Sequence, residues 1–156
     1  MKKLVLLTVV AIFLMTVYSS AEERVAPKEA ESMVKRAIEF YKANSRDKAL
    51  SEFSNANGKF ADLPKGLFIF AYTFDGKCVA QGANPAMVGK VLIDLKDPDG
   101  KLVIKDLIEI AKSKGSGWYD YKWSNPANKQ LEIKRSYVER VDDLMIGCGV
   151  YQPLPK

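Results

Sequence analysis

Residues 82–123 read GANPAMVGKVLIDLKDPDGKLVIKDLIEIAKSKGSGWYDYKW, and this stretch joins two groups of predicted strands. From Leu102 to Lys112 its apolar residues recur at helical spacing, and the glycines at 115 and 117 end that helix. Strand-forming residues lie before this stretch and at its C-terminal end. We therefore predict a crossover that carries a helix from one part of a sheet to another.

The acidic run DLKDPDGK, residues 94–101, stands directly before that helix. Gly100 fits the glycine position of an EF-hand loop, which places Asp97 and Asp99 at ligand positions. Leu95 then occupies the first ligand position, where it offers no side-chain oxygen. Because proline followed by glycine is typical of a tight reverse turn, we predict a turn here rather than a calcium loop.

The elements around the crossover predict an antiparallel sheet with helices. A long helix is predicted over Pro27–Asn44 and a short one from Asp47 to about Phe53. Residues 67–74, LFIFAYTF, form a hairpin with the following KCVAQG through an Asp-Gly turn. Three strands come last: Gly117–Trp123, Leu131–Val141 and Leu144–Tyr151. This order predicts an α+β, PAS-like fold with about five strands, a long N-terminal helix and a helical crossover between strands two and three.

The N-terminal residues have a different composition from the rest of the chain. Two lysines precede the apolar run Leu4–Val17, and small residues follow at 19–21. This pattern predicts a signal peptide, residues 1–21; an uncleaved anchor is the alternative, although the run is short for a membrane span. Residues 22–156 then form one domain in the periplasm or outside the cell, with no later stretch apolar enough to span a membrane.

Composition excludes several classes of function. The chain has no histidine, which removes His-based catalysis, most catalytic zinc sites and c-type haem attachment. The formal net charge of +5 comes from dispersed lysines and gives no reason to expect nucleic acid binding. Cys78 and Cys148 are compatible with a disulfide, but sequence alone leaves their pairing open. We predict no enzyme activity, no metal site and no cofactor.

Several motifs in order resemble those of the single Cache domains, type 2, of bacterial extracytoplasmic sensing. The resemblance covers about residues 28–152 and includes the upstream segment DKALSEFSNANGKF. Its motifs are Asn84-Pro85 with Gly89-Lys90, Asp94 through Lys101, Gly115 with Gly117, Tyr121-Lys122-Trp123, Lys134-Arg135-Ser136-Tyr137-Val138 and Gly147-Cys148-Gly149-Val150-Tyr151.

The resemblance implies a PAS-like sheet that holds a short carboxylate, such as acetate, propionate or pyruvate, between one sheet face and the crossover. It also implies signal transduction or chemotaxis through a kinase or chemoreceptor. Because the chain stops at Lys156 without a transmitter, we expect a separate membrane receptor or kinase as partner. The alternative is a structural or protein-interaction module whose pocket is filled by its own aromatic side chains.

A short carboxylate needs a cation, hydroxyl or amide donors and an apolar wall. Lys134 is the first candidate cation, because the resemblance places a lysine at this strand position. Alternation alone does not decide which strand face points inward, so Arg135 on the other face is the fallback cation. The remaining predicted ligand-binding residues supply hydroxyls, aromatic walls or an amide: Tyr121, Tyr72, Trp118, Trp123 and Asn84.

Overall fold

The computed structural model describes residues 24–155, so the predicted signal peptide lies outside the described part of the chain. Helix α1 spans Pro27–Ala43 and begins at the proline. Proline costs no hydrogen bond there, because an N–H in the first turn of a helix has no intrahelical acceptor. One stripe of α1 is buried: Ala30, Met33, Val34, Ala37, Ile38 and Tyr41. Helix α2 spans Arg46–Phe53, and the Ser45 hydroxyl caps it by accepting a hydrogen bond from the Lys48 amide at 3.4 Å.

The main sheet is antiparallel and has five strands. Its strands are β3 (Phe70–Thr73), β4 (Cys78–Gln81), β5 (Ser116–Ser124), β6 (Leu131–Val141) and β7 (Leu144–Gln152). They lie in the spatial order β4-β3-β7-β6-β5. The crossover between β4 and β5 contains helix α3, Val103–Lys114. The predicted α+β, PAS-like arrangement is therefore confirmed.

The predicted hairpin forms between β3 and β4, but its first strand is shorter than residues 67–74, because the chain divides there between two sheets. Strand β2 (Leu67–Phe68) pairs with β1 (Ala61–Asp62) in a small separate sheet, whereas β3 starts only at Phe70. The Ile69 amide between them donates to the Phe60 carbonyl at 3.0 Å, and the Ile69 carbonyl accepts from the Gly82 amide at 2.9 Å. These bonds turn the chain from one sheet into the other.

Helices cover both faces of the main sheet. Alternate residues of the strands, including Ile146 and Cys148, pack with α1 in one core cluster. The intervening positions, including Phe70, Tyr72 and Val138, pack with α3 in a second cluster. Alternation of polar and apolar residues is therefore weak in β6, because neither face of this strand is fully open to solvent.

The acidic turn ties the crossover to the edge of the sheet, and the predicted turn is confirmed. The Gly100 amide donates to the Asp97 carbonyl at 2.9 Å. The buried Asp97 carboxylate accepts from the amides of Asp99 and Lys101 within its own turn and from the amide of Lys122 in β5 at 3.0 Å. Burial raises the pKa of Asp97, but these three backbone donors outweigh it and hold the pKa below its ordinary value.

The two cysteines are free, buried and on opposite faces of the sheet. Cys148 lies in the cluster with α1, where its thiol is 3.7 Å from the Met33 sulfur. Cys78 lies in the cluster with α3. Because the sheet separates the two side chains, a disulfide between them requires the sheet to be disrupted.

Among residues 24–155, no helix combines the length and the apolar character that a bilayer crossing requires.

We predict that Asp97→Asn lowers the free energy of unfolding by about 1–3 kcal/mol, because an amide has only one oxygen to accept bonds that now use both carboxylate oxygens. Urea unfolding measures the change. Asp99→Asn is the matched control: it breaks only a partly exposed ion pair with Lys122 and costs at most about 1 kcal/mol. Equal losses in the two variants contradict this assignment.

We also predict that both thiols are free in the folded protein. Unfolding in guanidinium without reductant should make Cys78 and Cys148 reactive towards iodoacetamide, with two alkyl groups added per chain as measured by intact mass. If no alkyl group is added until the protein is reduced, the two cysteines form a disulfide and the prediction is wrong.

Candidate functional site

Lys134 lies in the middle of β6 with its side chain on the α3 face of the sheet. It is a fully buried lysine, only 1% exposed. Its direct neighbours across the strands are Tyr121 of β5 and Tyr151 of β7. A buried lysine at the centre of a sheet is uncommon because the charged form loses its hydration there.

Two glycines of β7 make room for the buried side chains on this face. A Cβ at Gly149 would lie 2.8 Å from the Lys134 Cε and 2.4 Å from the Ser136 hydroxyl oxygen. A Cβ at Gly147 would lie 2.4 Å from the Phe70 ring. The Gly-x-Gly pattern near the end of the sequence therefore lets the lysine stem and an aromatic ring lie flat across β7.

Aromatic rings surround the Lys134 ammonium. The Nζ atom lies 3.8 Å from the centroid of the Phe68 ring, 5.0 Å from Phe70 and 5.1 Å from Tyr151. Ring faces attract a cation, but they replace its hydration only partly. Burial lowers the pKa of Lys134 from its ordinary value of 10.5 to about 7, and the nearby Cys148 thiol opposes this change.

No carboxylate in residues 24–155 forms an ion pair with Lys134, and the ion pairs within that range all join other side chains. Glu132 is the acidic residue nearest along the same strand face, but its two oxygens accept hydrogen bonds from the amides of Asn125 and Asn128 at 3.0 and 2.7 Å. Lys134 therefore provides positive charge that no acidic side chain of the described chain compensates.

A small cavity of about 10 Å³ borders Lys134, and we call it the aromatic cavity. Helix α3 closes one side of it with Val103, Ile104 and Leu107. The other side belongs to the sheet and consists of Phe70, Tyr72, Gln81, Tyr121, Trp123 and Lys134. This volume suffices for about one water molecule and is too small for a two-carbon acid unless side chains move.

Polar groups that suit a carboxylate converge on the same place. The Tyr121 hydroxyl lies 3.0 Å from the Ser136 hydroxyl, and both residues are buried. Burial is the main cause that raises the pKa of Tyr121 and of Tyr72, so both phenols stay protonated and able to donate. Gln81, only 3% exposed, adds an amide from the edge strand.

The structure brings together four of the seven sequence-predicted site residues: Lys134, Tyr121, Tyr72 and Trp123 line the aromatic cavity. It places the other three elsewhere. Trp118 points to the α1 face, where its ring lies 5.3 Å from that of Tyr137. Arg135 is exposed on the same face, beside Trp118 and 3.7 Å from Asp120. Asn84 is exposed at the start of the short 3-10 turn Pro85–Met87.

Sequence reasoning missed Gln81, Phe70 and the three α3 residues of the cavity. Gln81 had a usable signal, since it is the polar residue in an otherwise apolar strand and reaches the α3 face through the bulge between Ala71 and Tyr72. The helix residues carried no such signal. Their spacing predicted a buried stripe, but only the packing of α3 on the sheet shows that the stripe meets Lys134.

A second concavity of about 460 Å³ opens to solvent where β6 begins and β7 ends, and we call it the outer cleft. Its polar and aromatic lining includes Arg24, Lys65, Asn125, Asn128, Glu132 and Tyr151. Tyr151 is half-buried, and its hydroxyl donates to the Ser124 carbonyl at 3.2 Å.

The family model that matches this chain is that of the Cache domain, over residues 37–153. The chain belongs to the Cache-domain family. This result confirms the resemblance that the sequence motifs indicated, and the chain is a Cache sensor domain of the kind found in kinases and chemoreceptors.

Two curated relatives are signalling proteins. The chain is 36% identical over 112 residues, 70% of its length, to the sensor histidine kinase MctS of Rhizobium johnstonii. It is 30% identical over 77 residues, 48% of its length, to the methyl-accepting chemotaxis protein McpP of Pseudomonas putida. These matches span only 24% and 14% of the two relatives.

Solved structures share the fold. A methyl-accepting chemotaxis protein from Vibrio parahaemolyticus superposes with a TM-score of 0.66 at 24% identity, over 80% of this chain and 86% of that one. A Cache chemosensory domain, solved to explain its carboxylic acid recognition, superposes with a TM-score of 0.67 at 24% identity, over 80% of this chain and 91% of that one. At this level of identity the likeness concerns the fold alone.

We predict that Lys134→Met does not lower the free energy of unfolding at pH 7 and instead raises it, because methionine fills the volume of the stem without burying an ammonium. The difference should shrink as the pH rises from 7 towards 10. In that range the unfolded chain keeps the lysine proton that the folded chain has released, so the stability of the wild type increases.

Urea unfolding of both proteins at pH 7 and pH 9 measures this effect. A Lys134→Met variant that is less stable by the same amount at both pH values would contradict the prediction, because it would show that Lys134 stabilises the fold and releases no proton between pH 7 and pH 9.

Proposed function

We propose that this Cache domain is exported, binds a short carboxylate reversibly at Lys134 and presents the bound state to a separate signalling partner. One observation carries the proposal: a fully buried lysine whose charge no acidic side chain of residues 24–155 balances. Buried charges in proteins are normally paired, since burial without a partner costs several kcal/mol. A carboxylate ligand supplies the missing charge.

The geometry around Lys134 suits a small anion with a short apolar tail. The ammonium and the Tyr121 hydroxyl lie on adjacent strands and are able to engage the two carboxylate oxygens. Phe70, Trp123 and the apolar face of α3 supply the walls for one or two methyl or methylene groups. This lining favours acetate, propionate or pyruvate over a long or strongly polar acid.

Binding in this site requires the aromatic cavity to expand and Lys134 to be charged. The gain from pairing a desolvated ammonium with a carboxylate offsets the cost of moving side chains apart. The bound anion also raises the lysine pKa again, so binding near neutral pH takes up a proton. The proposed ligand therefore changes both the volume and the protonation state of the site.

The relatives support the proposed role in signalling. One solved neighbour is a Cache chemosensory domain that recognises carboxylic acids, and the curated relatives are a sensor kinase and a chemoreceptor. The partner of this chain is accordingly proposed to be a membrane receptor or kinase. The proposed export is supported by the sequence pattern of residues 1–21, which predicts a signal peptide.

The small cavity favours a second candidate function, a structural or protein-interaction module without a small ligand. At about 10 Å³ the aromatic cavity is nearly filled by the protein's own side chains. Thermal unfolding against a panel of carboxylates separates the two functions. A ligand at about a hundred times its dissociation constant adds about 2.7 kcal/mol to the stability of the fold, whereas a filled pocket leaves the melting temperature unchanged.

We predict that isothermal titration of residues 22–156 with acetate, propionate, lactate and pyruvate detects one site, and that Lys134→Met abolishes it. Because the ammonium form binds the anion, the affinity should fall by about tenfold per pH unit above pH 7, where the free amine loses its proton. No heat of binding across this panel and related acids would contradict the proposal.

Arg135→Met is the matched control for that experiment. It removes a cation from the adjacent residue of β6, but from the exposed position on the α1 face. Binding that survives Arg135→Met and is lost in Lys134→Met assigns the anion to the α3 face, while the reverse pattern assigns it to the other face.

A further inference from the structure

The aromatic cavity is nearly filled by its own lining, so an anion that reaches Lys134 must displace at least one side chain. Our inference about which side chain moves rests on the proposed carboxylate site. A two-carbon acid is larger than the water-sized space of about 10 Å³ that the lining leaves. We compare two boundaries of the site: the packing of α3 on the sheet, and the sheet side near the end of β7.

The helix side is a costly place to open. Val103 and Leu107 are fully buried there, and Ile104 is only 3% exposed. Asp106 of α3 also accepts a hydrogen bond from the Tyr119 hydroxyl, which ties the helix to β5. Opening this boundary moves a helix and exposes several apolar side chains together.

On the other side, the Tyr151 ring lies both beside Lys134 and in the lining of the outer cleft. Tyr151 lines the cleft, and the centroid of its ring lies 5.1 Å from the Lys134 Nζ. The two residues are direct cross-strand partners on the same sheet face. Movement of this single side chain therefore connects the cleft of about 460 Å³ with the buried ammonium.

The Tyr151 ring packs against the α3-side core cluster, but its hydroxyl has only one hydrogen bond within residues 24–155. Its hydroxyl makes one hydrogen bond, to the Ser124 carbonyl at 3.2 Å at the protein surface. The residue lies one position before the end of β7, where strands fray most readily. Gly66 lies against another side of the ring, because a Cβ built there would be 3.1 Å from a Tyr151 ring carbon. The outer cleft, which Tyr151 itself lines, offers space on the solvent side of the ring.

The charges along this path suit an anion. Arg24 and Lys65 line the outer cleft, and Lys134 stands at its inner end. The lining also contains one carboxylate, Glu132, whose oxygens accept hydrogen bonds from asparagine amides, so the cations outnumber the acidic group along this path.

We propose that small anions reach Lys134 through the outer cleft and that Tyr151 closes this route by laying its ring over the ammonium. The hydrogen bond to Ser124 holds the closed position. Ligands that pass are those small enough to cross when this one ring turns aside, so Tyr151 adds a selection by size before the aromatic cavity selects by chemistry.

Carbamylation of Lys134 by cyanate tests the route without relying on carboxylate binding. The neutral amine adds to the carbon of isocyanic acid, a new N–C bond forms, and one amine proton passes to the nitrogen of the reagent to give a urea. No further reactant is needed. Peptide mass spectrometry follows modification of Lys134 over time at pH 7, with exposed lysines such as Lys28 as the internal reference.

Three proteins are compared: wild type, Tyr151→Phe and Tyr119→Phe. Tyr151→Phe keeps the ring and removes its hydrogen bond to Ser124, so the closed position loses support and Lys134 should react about fivefold faster. Tyr119→Phe is the matched control, since it removes the bond to Asp106 on the helix side. It should leave the rate within about twofold of the wild type.

Faster modification in Tyr119→Phe instead would place the entrance at α3 and overturn the proposal. An unchanged rate in Tyr151→Phe, or an unmodified Lys134 in all three proteins while Lys28 reacts, overturns it as well. Failure of carboxylate titrations with a positive cyanate result rejects the proposed ligand and keeps the route. Binding of a carboxylate with no effect of Tyr151→Phe keeps the ligand and rejects the route.

Discussion

The burial of one ammonium group organises the α3 face of this protein. Lys134 is enclosed by the rings of Phe68, Phe70 and Tyr151, and no acidic side chain of the described residues compensates its charge. Desolvation of this ammonium opposes folding, so other contacts of the fold must offset its cost. The neighbouring strands supply these surroundings, and the glycines of β7 leave the space in which the lysine stem lies.

The cost of this burial is a feature that a sensor is able to use. A site whose charge is unbalanced has a strong preference for an anion, and the binding energy becomes available to move side chains and strands. The sheet is covered by α1 on one face and by α3 on the other, so the strand that carries Lys134 is in contact with packed helices on both sides. Within the sheet, Lys134 pairs with Tyr121 of β5 on one side and with Tyr151 of β7 on the other.

Much of the candidate site was accessible from the sequence, but its boundaries were not. Lys134 was selected because its strand motif matches a family pattern; strand alternation alone could not choose it over Arg135, since both faces of β6 carry polar and apolar residues. Tyr121 and Trp123 followed from their shared face on β5. Strand alternation already places Trp118 on the opposite face of β5, and the structure shows that this face packs towards α1.

By itself the sequence determined the order of the elements, the reverse turn before α3 and the motifs of the family, because these depend on local spacing, proline and glycine chemistry, and short-range patterns. The tertiary structure alone decided three things: the division of residues 67–74 between two sheets, the separation of the cysteines, and the meeting of Gln81 and α3 with Lys134. All three depend on contacts between segments far apart in the chain. Periodicity within one segment shows which of its residues share a face, but it does not show which other segment packs against that face.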